Sequence, residues 1–461
     1  MSEIKLISPV DGTVYSERRY AAEAEIEHTL AASSTAKLEW QHVSLGRRID
    51  YCRRALSYFQ QHKQDIAQEI TWQMGRPIRY TEGEVDGLIE RAEAMLSLAP
   101  KYLAPEQLEE KEGFRRYIQR EPLGSVFVIA PWNYPYLTAV NTIIPALVAG
   151  NTVILKHSVQ TLLCAERFQQ AFDAAGLPEG VFQHLHVDHA NASAIVGDKR
   201  IDFVAFTGSV EGGESIEKAA AGLFKGVGLE LGGKDPAYVL ADANVDAAVE
   251  GIIDGAFFNS GQSCCGIERV YVHEDLFDEF LAKSIALTSQ YKLGSPLDEA
   301  TTLGPLVNIK AADWVRYQVE QATNAGAKTC IDPLSFTYHQ SIGPYLAPQI
   351  LTNVDHSMSI MKEESFGPVV GIMSVKSDEL AVELMNDSAF GLTASLWTPD
   401  LDRAESLGRE IQTGTVFMNR CDYLDPNLPW VGIKNSGRGC TLSHLGYEQL
   451  TRPKSFHLKL A

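Results

Sequence analysis

Residues 125–156 read SVFVIAPWNYPYLTAVNTIIPALVAGNTVILK, and no charged side chain occurs between Val126 and Leu155. A stretch this long and uncharged invites a membrane-spanning reading. Its punctuation argues otherwise. Pro131, Pro135 and Pro145 interrupt it, with Asn133, Asn141 and Asn151 between them. Backbone broken at prolines carries polar groups that lipid cannot satisfy. The better reading is a buried strand (SVFVIA), a loop (PWNYP), a buried helix and a second buried strand (NTVILK). Strands apolar along their whole length and joined through a helix belong to a parallel sheet covered on both faces. The fold class is therefore α/β.

The alternation continues downstream. A helix is expected over Gln160–Ala175, strands at FQHLHV, DFVAFTG and GVGLEL, and a helix over Glu211–Leu223. Beyond a helix at Asp246–Asn259, strands at ERVYVH, VVGIMSV, TASLWT and TVFMN alternate with helices at Asp378–Asn386 and Leu401–Ile411. This predicts a second α/β unit. Upstream, the first hundred residues read as mainly helical, with amphipathic segments at Gly46–Gln61 and Glu82–Leu98. The basic GFRRYIQREP (113–122) and the C-terminal SFHLKLA read as edge strands.

Composition narrows the function. With 461 residues, 45% apolar and 21% charged, the chain is a soluble globular type of two or three units, not a disordered or fibrous one. Lys and Arg number 40 against 59 Asp and Glu, a net charge of −19, so a nucleic-acid partner has no electrostatic support. The seven cysteines (52, 164, 264, 265, 330, 421 and 440) are odd in number, and no C-x-x-C occurs. That spacing is neither a disulfide framework nor a zinc site, and no metal is expected. MSEIKLISPVDG lacks a basic segment followed by an apolar one, so the expected location is cytoplasmic, with no membrane partner.

Chemistry-bearing residues fall at the turns. Cys264 follows NSGQS, where backbone N–H groups can stabilise a thiolate; a lone cysteine is more often a small core hydrophobe. Glu230 in GLELGGKD ends an apolar strand, and such surroundings raise a carboxyl pKa toward that of a general base. The same segment nearly spells a phosphate loop, but Asp235 replaces the Ser or Thr that would hold Mg²⁺, so ATP binding is rejected. Gly208 and Ser209 lie in a strand-to-helix turn suited to phosphate, while no G-x-G-x-x-G occurs. Lys156 ends a strand where α/β sheets bind ligands. Asn133 stands between two prolines, and its amide is able to donate to an oxyanion. Glu364 and Phe366 in EESFGP offer a carboxylate for sugar hydroxyls beside an aromatic ring. Each has a plain alternative as a solvated or packed turn residue.

PWNYP, FTGS, ELGGK, GQSCCG, EESFGP, GTVFMN and KNSGRG together resemble the aldehyde dehydrogenase superfamily, from SPVDG to the final strand. The resemblance implies a Rossmann-like cofactor-binding domain over 1–232, interrupted by an oligomerisation hairpin at 105–122. A catalytic α/β domain over 233–430 follows, then a return segment and C-terminal oligomerisation strand over 431–461. It implies oxidation of a small-molecule aldehyde to the acid with NAD or NADP. Cys264 would be the nucleophile, Asn133 the oxyanion donor and Glu230 the base for water. Trp132, Lys156, Ser158, Gly208, Ser209, Leu231, Glu364 and Phe366 would bind the cofactor. Cys265 is then a packing neighbour, and Arg269 a framework charge unless it meets a substrate carboxylate. Arg420 has the same two readings. Val159 stands where the family commonly has Glu, which removes repulsion toward a 2′-phosphate, so NADP should be tolerated or preferred. A homodimer or homotetramer is expected through the hairpin and the last strand. The alternatives are a coenzyme A-acylating semialdehyde dehydrogenase, whose relatives usually lack the Glu of ELGGK, and a non-catalytic binding or structural protein on this fold. An aromatic-lined tunnel is expected from Trp132, Tyr134, Trp430 and the Phe257–Phe258 pair.

Overall fold

In the computed structural model, which describes residues 3–421 and 423–460, the charge-free stretch resolves as strand, helix, strand. Ser125–Ala130 and Thr152–His157 are buried at every position, and helix Pro135–Ala149 runs between them. Pro135 takes the first helical turn, where its missing N–H costs nothing, and Gly150 ends the helix at φ 100°. Among the described residues no helix is long and apolar enough to cross a membrane.

These strands are the centre of a six-stranded sheet. Its order is Gly437–Arg438, Gly226–Glu230, Phe203–Thr207, Ser125–Ala130, Thr152–His157, Phe182–His184, parallel except at the Gly437–Arg438 edge. The chain winds outward from Ser125–Ala130 to one edge, then crosses back to fill the other side. The strand order therefore reverses between Ser125–Ala130 and Phe203–Thr207, and a doubly wound sheet binds ligands where its order reverses. PWNYP leaves the first of these strands and Gly208–Ser209 leaves the second.

A second sheet has seven strands, in the order Lys328–Thr329, Gln349–Thr352, Val369–Val375, Ile267–His273, Asp235–Val239, Thr393–Trp397, Thr415–Met418. It is parallel except where Lys328–Thr329 pairs. Asp235–Val239 does not emerge from the sequence reading, because ELGGKD looks like the tail of one strand. It is the crossing between sheets: Glu230 is the last residue of a strand in one, and Asp235 the first in the other.

The N-terminal region departs from its mainly helical expectation. Glu3–Ile7 and Val14–Arg19 form an antiparallel hairpin that buries Ile4 and Leu6. Four helices follow: Glu23–Trp40, Leu45–Gln61, Lys63–Met74 and Ile78–Tyr102. Phe114–Pro122 pairs antiparallel with Thr451–Lys459 along its whole length, and Glu106–Gln107 joins as a third strand. Tyr117 stacks on Phe456 at 4.5 Å across this sheet.

Candidate active site

Two cavities meet at Cys264. The larger, of about 520 Å³, opens at the strand ends of the six-stranded sheet. The smaller, of about 240 Å³, is bordered by helices Ile78–Tyr102 and Pro135–Ala149 and by the segment from Tyr423 to Trp430. Cys264, Glu230 and Leu231 border both.

Helix Val245–Phe257 leads into this meeting point through an unusual turn. Asn259, Ser260 and Gly261 all have left-handed backbone, with φ of 53°, 57° and 73°. Two non-glycine residues there cost of order 1 kcal/mol or more each, so the surroundings must hold them. Asn259 Nδ2 donates to Asn133 O at 3.3 Å and Gln262 O at 3.2 Å, and Ser260 Oγ donates to Gly304 O at 2.9 Å. On the other side Gly233 packs against the carbonyl of Cys264, leaving no room for a Cβ.

Asn133 is buried, and its Nδ2 donates to Gln262 O at 3.2 Å, two residues before Cys264. Its own loop is clamped by a buried ion pair. Arg76 donates to Glu84 Oε2 at 2.5 Å, to Asn259 Oδ1 at 3.0 Å and to the carbonyl of Asn133. Glu84 Oε1 accepts from the N–H groups of Tyr136 and Leu137 at 2.9 and 3.0 Å, capping the helix that follows PWNYP.

The electrostatics at Cys264 run against the expected thiolate stabilisation. A hydrogen bond with the Cys265 thiol, burial, and the carboxyls of Asp235 and Glu364 push its pKa well above the ordinary range. Glu230 follows expectation: burial raises its pKa, offset in part by hydrogen bonds from Thr441 Oγ1 at 2.5 Å and Thr207 Oγ1 at 3.1 Å and by the charge of Arg91.

The larger cavity gathers Trp132, Lys156, Ser158, Gly208, Ser209, Leu231, Glu364 and Phe366. Ser209 caps helix Val210–Ala220, whose N-terminus borders the cavity, by accepting from Gly212 N at 3.2 Å. Lys156 is 7% exposed, donates to His157 O at 3.3 Å, and has its pKa lowered by burial. Glu364 Oε1 accepts from Gly233 N at 2.9 Å; burial first, then the charge of Glu268, lifts its carboxyl to about 8. Phe366 has a left-handed φ of 51° and meets Trp132 edge-on at 5.6 Å. Glu268 secures that strained turn, accepting from the N–H of Ser365 at 2.8 Å and of Phe366 at 2.9 Å while paired with Lys234. A helix N-terminus suits a pyrophosphate, a carboxyl suits ribose hydroxyls, and an aromatic pair suits a planar ring. The donor set fits a nicotinamide dinucleotide.

Several residues lie elsewhere. Arg269 is 1% exposed and donates to the carbonyls of Lys234, Leu384 and Met385, which makes it a framework charge. Arg420 stacks over Tyr423 at 4.0 Å and borders a different cavity. Of the aromatic set, Tyr134, Phe258 and Trp430 border the smaller cavity and Trp132 the larger, whereas Phe257 is packed in the core beneath the second sheet. Arg76, Glu84, Glu268, Thr207 and Thr441 escape the sequence reading. A charged residue or a threonine at the end of a strand, on a helix or in a loop looks solvated until the fold gives it a partner.

A doubly wound sheet, a groove fitted to a dinucleotide and a cysteine between that groove and a second cavity define a dinucleotide-linked enzyme with a thiol at its centre. The chain belongs to the aldehyde dehydrogenase family, whose model matches residues 1–456. It is 33% identical over 450 residues to the NAD(P)+ succinate semialdehyde dehydrogenase Sad of Escherichia coli, covering 96% of this chain and 95% of that one. The NADP complex of an NADP-dependent glyceraldehyde-3-phosphate dehydrogenase from Bacillus halodurans superposes at a TM-score of 0.94 with 31% identity, covering 100% and 96% of the two chains. An NAD-dependent aldehyde dehydrogenase from Sinorhizobium meliloti superposes at 0.95 with 31% identity, covering 100% and 92%. The protein is an oxidoreductase that oxidises an aldehyde to the carboxylic acid with NAD(P)+.

Proposed function

We propose that Cys264 is the nucleophile, Asn133 the oxyanion donor and Glu230 the base for water. The observation that carries this is that Cys264 and Glu230 stand on the common border of the two cavities. An aldehyde in the smaller cavity then reaches the thiol from one side while the cofactor lies on the other.

The Cys264 thiol releases its proton to solvent as its sulfur bonds to the aldehyde carbon and the carbonyl π bond breaks toward oxygen. The carbonyl oxygen becomes an oxyanion facing the Asn133 amide and the Cys264 N–H. A dinucleotide held by the residues of the larger cavity would supply the hydride acceptor. Loss of the hydride leaves a thioester on Cys264. Glu230 takes a proton from water, the water oxygen adds to the thioester carbon, and the carbon–sulfur bond breaks. The acid leaves and the sulfur regains a proton. A raised carboxyl pKa makes Glu230 a stronger acceptor for that proton, which it then passes on. Its presence favours water over coenzyme A as the acyl acceptor. In the larger cavity, Glu364 holds ribose hydroxyls, the helix behind Ser209 holds the pyrophosphate, and Lys156 and Ser158 meet the adenosine ribose. Val159, 36% exposed at the cavity edge, places no charge against a 2′-phosphate, so NADP is accepted. The strand Thr451–Lys459 has an outer edge unpaired among the described residues, which supports a homodimer or homotetramer built there. The protein works in the cytoplasm.

Glu230→Gln tests the central role. Deacylation should slow enough for a covalent acyl adduct on Cys264 to appear by intact-mass spectrometry after mixing with aldehyde and cofactor. Normal turnover with no adduct would remove Glu230 from the mechanism.

A further inference from the structure

The smaller cavity is lined mainly by apolar and aromatic side chains, yet among its described lining residues one cation faces it: Arg91. Arg91 lies on helix Ile78–Tyr102, one turn after Gly87, and both residues border the cavity. Gly87 is what lets that face come close. A Cβ there would stand 2.5 Å from Leu137 Cδ2 of the neighbouring helix. Arg91 Nη1 donates to the carbonyl of Leu137 at 2.8 Å, which orients the guanidinium. Its remaining N–H groups form no further hydrogen bond and no ion pair among the described residues.

The nearby acids do not neutralise it. Glu84 is committed to Arg76 and to the Tyr136 and Leu137 N–H groups. Glu230 is held by Thr207 and Thr441. Glu90 also borders the cavity, where its carboxylate accepts from Tyr423 Oη at 3.2 Å and forms no ion pair with Arg91 among the described residues. Burial pulls the Arg91 pKa down, offset in part by the charges of Glu84, Glu230 and Glu90, none of which pairs with it.

A second observation points the same way. Asn141, one of the polar residues interrupting the charge-free stretch, borders the same cavity at 2% exposure, and its Oδ1 has no partner. A buried amide left unsatisfied is costly, and it marks a site that a polar ligand group completes. Its Nδ2 donates no hydrogen bond among the described residues, so the amide N–H groups are the ones left to meet an anion.

We infer that Arg91 and Asn141 anchor a carboxylate at the far end of the substrate, so that the preferred substrates are short aldehydes carrying a terminal carboxylate. The inference rests on the assignment of the smaller cavity to the aldehyde. A carboxylate there takes two charge-assisted N–H bonds from the guanidinium and one from the amide, while its aldehyde end reaches Cys264. Arg91 thereby sets specificity and does not take part in bond making. The short chain between the two ends lies against Tyr134, Leu137 and Trp430.

The test compares kcat/KM for 4-oxobutanoate and its methyl ester, which present the same aldehyde with and without the charge, using the full-length enzyme and saturating NADP. The wild type should favour the carboxylate by at least about tenfold. Arg91→Met should collapse that ratio toward unity, chiefly through KM for the carboxylate. Arg91→Gln keeps a donor for Leu137 O but loses the charge, and should do the same. Arg91→Lys should retain part of the preference. Asn141→Ala should lower the ratio by a smaller factor. A wild-type ratio near unity overturns the inference, as does an equal loss on both substrates in Arg91→Met and Arg91→Gln, or better turnover of 4-aminobutanal. Failure to oxidise any aldehyde would instead strike the assignment beneath it, since the ester reports that assignment without the carboxylate.

Discussion

The two cavities that meet at Cys264 are made of different material. The larger is built from strand ends and turns. Lys156, Gly208 and Ser209, and Leu231 each follow or close a strand of one sheet, and EESFGP contributes Glu364 and Phe366 from the other side. Its binding groups are largely fixed by backbone geometry. Away from the common border with Thr207, Glu230 and Leu231, the smaller is built from side chains on the faces of two helices and on loops, residues with no strand to fix them. The cofactor side is thus tied to topology, whereas the substrate side is free to change one side chain at a time. The common border belongs to both, so damage there should be the most severe.

Cys264→Ser sits on that border and carries the largest expected effect. Aldehyde-dependent reduction of the cofactor should fall by at least about ten thousand-fold, because a serine hydroxyl without an activating base is a poor nucleophile. The side chain is part-exposed and its volume barely changes, so the melting temperature should stay within about 3 °C of wild type. Residual activity above a thousandth of wild type would assign the covalent step to another group, with Cys265 the first to examine.

The same contrast explains what is legible in the sequence. The alternation of apolar strands and helices exposes both sheets, because strands buried on two faces tolerate few polar residues. The cofactor side is legible because its residues come in short contiguous runs such as FTGS and ELGGK. The strand Asp235–Val239 hides inside one of those runs: two glycines and a lysine mark a turn, but not a change of sheet. The N-terminal hairpin hides because its alternation spans only a few residues. Arg76, Glu84 and Arg91 are unreadable in the sequence for another reason. On an amphipathic helix, as for Glu84 and Arg91, or in the turn between two helices, as for Arg76, a charged residue is ordinarily a solvated one, and only packing between distant segments buries Arg76 and Glu84 and half-buries Arg91. The expected stabilisation of the Cys264 thiolate is opposed first by the hydrogen bond with the adjacent Cys265 and by burial, and further by Asp235 and Glu364, which only the fold brings beside it.

Each cavity also holds a charge that burial disfavours, and the two should respond differently to pH. Glu364 rises from an ordinary value near 4.5 to about 8, driven by burial and by Glu268, against the hydrogen bond from Gly233 and the charge of Lys234. The folded protein therefore holds this proton more tightly than the unfolded chain does. Stability from this group is present below about pH 4.5 and is lost as pH climbs to about 8. Arg91 stays ionised throughout that window and adds no such slope. Glu364→Gln should lack the Glu364 component. In thermal melts of the free protein from pH 5 to 8.5, wild type should lose ground steadily to the variant. A constant difference between the two across that range would show that Glu364 is ionised in the fold at neutral pH.

The smallest effect is expected at the outer rim of the larger cavity, where a side chain rather than topology decides. Val159 opens the short turn Val159–Thr161, which Ser158 caps by accepting from Gln160 N at 3.3 Å. It borders the cavity with Lys156 and Ser158. A carboxylate introduced here meets water as well as the ligand, so its repulsion toward a 2′-phosphate is screened and amounts to roughly tenfold rather than many orders of magnitude. Val159→Glu should lower kcat/KM for NADP relative to NAD by about that factor, mostly through KM, with the maximal rate on aldehyde unchanged. Raising the ionic strength should shrink the difference, as screening requires. A ratio indifferent to the substitution would mean that cofactor choice, like the rest of that cavity, is fixed by the backbone around Lys156 and not by the residue at 159.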